Sequence, residues 1–341
     1  MRKTLKWTAI VLGIALIGTI GFFAYSFVDF ANGIHTDSKD SKFFANVPSA
    51  SPTAPPKWEG KEQVNILLMG GDSRESNNHE PPRSDTMMLA SIDPVTKKAY
   101  LFSILRDSYV KIPGHGSDRI NAALAYGGPS LTMQTVSEMT GLPIQYYVYT
   151  DFEGFVALVN AVGGVEIDVE KDMKYTDKWD GPEFDIDLKK GLQTLDGKTA
   201  LQYVRFRHDK LGDFTRTERQ RKFMTALAQK MQRTTSLVRL PSILNKVEPY
   251  IETNMPMTDM LKLGSLAYDA KTEGLVTEQI PPAPLVQEKR IGGADVIGFN
   301  QKQLQTYLKE LLAGGTPGSP NPSGSSGSST GIKNPTPSPR R

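Results

Sequence analysis

Between residues 205 and 221 the chain carries five of its 15 arginines, Arg205, Arg207, Arg216, Arg219 and Arg221, with one lysine, Lys210. Elsewhere lysine dominates, with 25 in the chain. A guanidinium grips phosphate at two points, whereas an ammonium acts as a point charge. Arg205 and Arg207 share a face if their segment is extended. Arg216, Arg219 and Gln220 stand at i, i+3 and i+4, so one helix face can present all three. The first turn of such a helix adds free N–H groups that favour an anion. Spacing alone leaves a second reading open: a solvated basic helix paired with Asp209, Asp213 and Glu218. A second group lies earlier. Asp72 follows an apolar run and Asp85 opens the next, with Arg83 just before it and Arg106-Asp107 after a third. Ligands gather at strand ends in α/β sheets. Two such carboxylates suit a Mg²⁺ that keeps waters and shares phosphate oxygens. The bland reading is turn and capping aspartates beside surface arginines.

Other chemistries are disfavoured. The four histidines, at 35, 79, 115 and 208, have no zinc-ligand spacing, and there is no cysteine and no G-x-S-x-G. The stretch GLQTLDGKT at 191–199 imitates a phosphate-binding loop but has five residues between its glycines where four are needed. It reads as a turn leading into a helix. A net charge of +3 gives no nucleic-acid signature for the whole chain.

The elements that must position these residues follow from apolar periodicity. Short apolar runs at 64–69, 86–92, 99–110, 144–149, 165–169 and 274–280 read as strands. Helical patterns cover 121–140, broken at Gly127-Gly128-Pro129, then 151–161 capped by Asp151, 194–203, 215–233, 241–252, 258–269 and 301–312. Strands interleaved with helices predict an α/β sandwich, and the opening hairpin makes its sheet mixed.

Arg2, Lys3 and Lys6 precede residues 7–28, which carry no charge. Twenty-two residues at about 1.5 Å each span roughly 33 Å, enough to cross a bilayer. The flanking basic residues put the N-terminus in the cytoplasm and the rest outside, at the cell membrane. A cleaved signal peptide is the rival; the run is long for one and no small-x-small site follows it. The expected organisation is a cytoplasmic N-terminus (1–6), a transmembrane signal anchor (7–28), an extracytoplasmic spacer (29–62), a catalytic domain (63–312) and a disordered Gly/Ser/Pro tail (313–341).

The stretches VNILLMGGDSR, RSDTMMLASID, SILRDSYV, RINAALAYGG, DFEGFVALVNAVGGVEIDV, GLQTLDGKTALQYVRFR and GDFTRTERQR resemble the LytR-CpsA-Psr family of cell-envelope transferases. The resemblance implies a three-layer α/β/α sandwich around a mixed sheet. It also implies transfer of teichoic acid or a related anionic glycopolymer from an undecaprenyl-pyrophosphate carrier to peptidoglycan, at the 6-hydroxyl of N-acetylmuramic acid. By this resemblance Asp72 and Asp85 hold Mg²⁺. Arg83, Arg106, Arg205, Arg207 and Arg216 bind pyrophosphate, with Arg219 and Gln220 in the same stretch and Asp213 a polar site residue. Leu105 stands where many members carry proline.

On this reading Arg83, Arg106 and Asp213 are catalytic, and either Asp213 or Asp107 is the base. Phe223, Leu227 and Met231, or the face of Phe152, Phe155 and Val159, line a lipid groove, or else are plain core. Two alternatives stand beside transfer: a lipid-pyrophosphate hydrolase, and a non-enzymatic envelope regulator or scaffold. The six residues before the apolar run leave no room for a cytoplasmic DNA-binding domain.

Overall fold

Runs rich in Val, Ile, Leu and Tyr form the sheet of the computed structural model, which describes residues 2–36, 41–45, 47, 55–71, 84–176, 181, 185–208, 212–270 and 275–315. In chain order these are α1 (Arg2–Ile34), β1 (Val64–Gly71), β2 (Ser84–Ile92), β3 (Ala99–Ile104), β4 (Tyr109–Ile112), β5 (Gly116–Arg119), α2 (Ala122–Thr140), β6 (Tyr146–Asp151), α3 (Phe152–Ala161), β7 (Val165–Val169), β8 (Met173–Tyr175), β9 (Ile186–Leu188) and β10 (Gly191–Leu195). They continue as α4 (Gly197–Arg205), α5 (Asp213–Met231), α6 (Thr234–Val238), α7 (Leu240–Val247), β11 (Ile251–Thr253), α8 (Met257–Asp269), β12 (Val276–Ile280), β13 (Gln287–Ile291), β14 (Ala294–Gly298) and α9 (Gln301–Leu312).

The central sheet has the order β11-β6-β1-β2-β3-β12. β1 pairs antiparallel with β2 and parallel with β6; β12 runs parallel to β3. The sheet is therefore mixed, as the opening hairpin requires. On one face Leu67, Leu89 and Phe102 pack against Leu124 and Val136 of α2 and Leu304 and Leu308 of α9. On the other, Ile66 and Tyr146 pack against Leu263 and Leu266 of α8. Beside α8, helices α3, α4 and α5 close over the small β7–β10 and β8–β9 hairpins around Val159, Ile167, Tyr203 and Phe223. This is the three-layer α/β/α sandwich.

Local signals explain the boundaries nearest the site. Asp151 ends β6 and accepts a bond from Gly154 N, capping α3. Asp196 does the same for α4 through Thr199 N. The phosphate-loop imitation is thus a strand, β10, and a capped helix. Gly197 permits α4 to press on α3: a Cβ there would sit 2.4 Å from Val156 O.

Four expectations change. The helix foreseen over 241–252 ends at Val247, and Ile251 and Glu252 instead join the sheet edge as β11 beside β6. The strand foreseen over 99–110 stops at Ile104: Leu105 N makes the last bond to β12, at Ile280 O, and Ser108 N then turns back to Leu105 O. Arg106 and Asp107 therefore sit in a turn at the strand's end. The helix foreseen from 194 begins only after β10, at Gly197. The described residues of the 29–62 segment are not a free spacer. α1 runs on to Ile34, Phe44 enters the main core, and Trp58 packs under the sheet. Polar composition concealed these apolar contacts. The tail from residue 316 lies outside the described residues.

Candidate active site

β2 and β3 are hairpin partners, so the start of one and the end of the other lie side by side. Asp85 comes from the first and Arg106 follows the second. Arg106 Nη1 approaches Asp85 Oδ1 at 2.6 Å, and Arg207 Nη2 approaches the same oxygen at 3.4 Å. Arg207 reaches it from the segment after α4. Arg106 Nε lies 3.6 Å from Asp107 Oδ2 and 3.9 Å from Asp213 Oδ1. Asp213 opens α5, and Arg216, one turn on, holds its Oδ1 at 2.5 Å. Gln220, a further turn on, donates from Nε2 to Thr86 Oγ1 of β2 at 3.0 Å. One helix face thus brings Asp213, Arg216 and Gln220 to the strand ends.

The electrostatics are those of a crowded cation site. Arg216 is only 2% exposed. Burial pulls it down to about 10; Asp213 opposes that shift, while Arg207 and Arg106 deepen it. Arg207 moves the same way, through desolvation first and then the charge of Arg106. Among the described residues, three buried atoms here, Arg106 Nε, Arg216 Nε and Asp213 Oδ2, find no hydrogen-bond partner. Buried polar groups ordinarily find partners, so this cluster is arranged for a ligand with both donors and acceptors.

These charges stand at one end of a cavity of about 620 Å³. Asp85, Arg106, Arg205, Arg207, Arg216 and Gln220 line its polar end. Most of the remaining wall is apolar and includes Leu68, Val148, Phe155, Leu158, Phe223 and Ile251. Arg205 bridges the two zones, its guanidinium lying 5.2 Å over the Phe152 ring.

The structure separates the predicted residues. Asp85, Arg106, Arg205, Arg207, Asp213, Arg216 and Gln220 come together. Asp72 and Arg83 lie outside the described residues. Arg219 is a correction: it does not line the cavity. Its Nε bonds Glu170 Oε1 at 2.6 Å and its Nη1 bonds Phe206 O at 2.8 Å. The i, i+3, i+4 spacing holds Arg219 and Gln220 about 100° apart on the helix, enough to aim them apart. Of the apolar stripes, Phe152, Phe155 and Phe223 reach the lumen; Val159, Leu227 and Met231 pack in the core behind it. Two features escaped sequence reasoning. Arg119 Nη1 holds Asp107 Oδ1 at 3.4 Å, and His208 stacks on Tyr175 at the cavity wall with ring centroids 3.8 Å apart. Arg119 sits in RINAALAYGG, which was itself a signal; the Tyr175 contact spans 33 residues and left none.

A divalent cation fits the donor chemistry in part. Asp85 offers a hard carboxylate oxygen, and Mg²⁺ commonly needs only one or two carboxylates besides substrate phosphate. Among the described residues no group of three or more His, Cys, Asp or Glu forms a complete metal cage.

Residues 24–313 match the model of the LytR_cpsA_psr family. The chain belongs to the LytR_cpsA_psr family. The family's polyisoprenyl-teichoic acid–peptidoglycan teichoic acid transferase TagU of Enterococcus faecalis (strain ATCC 700802 / V583) is 35% identical over 316 residues, 91% of this chain and 98% of that protein. Regulatory protein MsrR of Staphylococcus aureus (strain COL) is 36% identical over 212 residues, 62% of this chain; the match spans 61% of that relative, less than two thirds of its length. Among solved structures, Bacillus subtilis TagT bound to LI-WTA superposes with a TM-score of 0.60 at 28% identity, covering 78% of this chain and 98% of that one. Leu105 stands where the resemblance read from the sequence implied a proline. Its N–H makes the bond to Ile280 O, which a proline could not donate, and Arg106 keeps its place.

Proposed function

We propose that this protein transfers an anionic glycopolymer, wall teichoic acid or a polymer like it, from an undecaprenyl-pyrophosphate carrier to peptidoglycan. The observation that carries this reading is the joining of the Asp85–Arg106–Arg207–Arg216 cluster to a cavity whose other walls are apolar. A diphosphate with a lipid on one side has that polarity. The relatives named as teichoic acid transferases, and TagT bound to LI-WTA, support the same substrate class.

In this reaction an acceptor hydroxyl oxygen attacks the sugar-side phosphorus. The P–O bond to the bridging oxygen breaks, and undecaprenyl phosphate leaves with one phosphate. The other phosphate becomes the link between polymer and glycan. Arg106, Arg207 and Arg216 hold the diphosphate and stabilise charge on its oxygens; each such donor is worth roughly 10²- to 10³-fold in rate. Asp213 keeps Oδ1 on Arg216, and among the described residues its Oδ2 has no hydrogen-bond partner, so Oδ2 is the atom suited to take the hydroxyl proton. The apolar wall excludes water from the lipid side. Asp85, with Asp72, would hold Mg²⁺, which when bound supplies additional charge neutralisation on the phosphates. α1 is long and apolar enough to cross a membrane. With basic residues at its start, it anchors the domain outside the cytoplasm.

The deciding experiment incubates the full chain with a defined lipid-pyrophosphate polymer, with and without a peptidoglycan oligomer, and with Mg²⁺ or a chelator. The transferase reading expects polymer joined to glycan only when acceptor is present, and a loss of product on chelation. Equal phosphate release without acceptor would identify a hydrolase. No turnover, together with an unaltered cellular role for Arg106→Ala, would leave only a regulator or scaffold.

A further inference from the structure

α1 is covered by the domain along one stripe. Phe23, Ser26, Phe27 and Phe30 are half-buried, and Ala31 and Ile34 are 1% and 5% exposed. The covering elements are α7, the turn at 248–250, β11 and α8. The join is close: a Cβ on Gly33 would lie 2.0 Å from Glu248 Oε1, and Thr36 N donates to Thr253 O. Cover begins inside the apolar run. Residues 6–22, which lie below it, extend only about 26 Å, short of a hydrocarbon core of roughly 30 Å. The first covered turns of α1 must therefore complete the span, and the elements beside them lie at the bilayer surface.

The chain leading into α7, one of those covering elements, has an unusual charge. From residue 219 to residue 247 there is no carboxylate. Within it Arg233, Arg239 and Lys246 are exposed, and among the described residues none of the three forms an ion pair. Val238, between them, is 68% exposed. Basic side chains near a membrane are attracted by anionic headgroups at about 1 kcal/mol each.

We propose that α6 and α7 form a second membrane contact, in which Arg233, Arg239 and Lys246 rest on anionic phospholipid headgroups and Val238 enters the headgroup–acyl boundary. The proposal needs α1 to span the bilayer. It does not need the transferase reading. The same segment runs through the turn at 248–250 into Ile251, which lines the cavity. Docking therefore sets the apolar end of the cavity beside the bilayer.

The chain has no cysteine, so one fluorophore can be placed at Val238→Cys in the full-length protein. The control is Ile291→Cys, on a hairpin joined to β4 through Ile297 and Ser108, at the opposite edge of the sheet from β11. Both are reconstituted in vesicles of phosphatidylcholine, or of equimolar phosphatidylcholine and phosphatidylglycerol, carrying brominated acyl chains. The label at 238 is expected to be quenched in the anionic vesicles, to recover with salt, and to exceed any quenching at 291. Arg233→Glu, Arg239→Glu and Lys246→Glu combined are expected to shift docking on the order of 100-fold toward release. An unquenched 238 label, equal quenching at both sites, equal quenching in neutral vesicles, or quenching that survives the triple substitution would each overturn the proposal. No donor turnover is required, so failure here is separate from failure of the proposed reaction.

Discussion

Arg106 and Asp85 meet at 2.6 Å across the join of β2 and β3, and the carboxylate oxygen they share also receives Arg207. Asp85 thus holds two guanidinium groups in the cavity wall, while among the described residues Arg106 Nε has no hydrogen-bond partner. Arg106→Ala is expected to lower transfer by at least about 10²-fold while the protein remains folded. Arg106→Lys keeps the charge but loses the fork, and it should recover only part of that loss. Transfer rates with thermal unfolding as the control decide this; full activity in Arg106→Ala would remove Arg106 from the reaction.

Arg216 holds a buried place beside Asp213. Burial drives its charge toward the neutral form, and Asp213 offsets this only in part. Replacing both members of a buried ion pair by apolar side chains is often neutral or stabilising, whereas removing one member leaves the other charge buried and unpaired and costs about 3–5 kcal/mol. Arg216→Met alone is therefore expected to lower the Tm by stranding Asp213, and Arg216→Met with Asp213→Leu to recover it, while transfer falls by at least roughly 10²- to 10³-fold in both. A Tm that stays low in the double variant would show the guanidinium to be a structural strut instead.

The arginines were legible because type and clustering carry chemistry. α9 was legible to the residue because apolar spacing and flanking polar residues agreed. Other features follow from contacts that a local window does not contain. The last bond that ties the end of β3 to β12, Leu105 N to Ile280 O, spans 175 residues. The polar stretch after α1 looked like a spacer because Phe44 and Trp58 are isolated in it, yet each enters a core. Asp72 was read from its place after β1, and its position is outside the described residues.

Leu158 lines the apolar wall from the last turns of α3 and faces the lumen rather than solvent. Leu158→Trp adds bulk where the donor's lipid chain is proposed to lie. The expected outcome is a raised KM for donors with a full-length polyprenyl chain and little change for short-chain analogues. Equal effects on both would place the lipid elsewhere.

Arg219 gives the converse test, because it sits within the arginine cluster in sequence but outside it in space. Burial raises the Glu170 carboxyl, but the hydrogen bond and charge of Arg219 outweigh this and leave it below the ordinary carboxylate value of 4.5. A carboxyl depressed in the fold adds stability above its unfolded pKa and loses it as pH falls through the folded value. The Tm advantage of the unmodified protein over Glu170→Gln is therefore expected in full near neutrality, should begin to fade as pH falls past 4.5, and should be gone only below the lower folded value. Arg219→Ala should lower Tm at pH 7, since Phe206 O loses its donor. It should leave transfer per folded molecule close to unchanged. A rate loss as deep as that of Arg106→Ala, at unchanged Tm, would return Arg219 to the phosphate site.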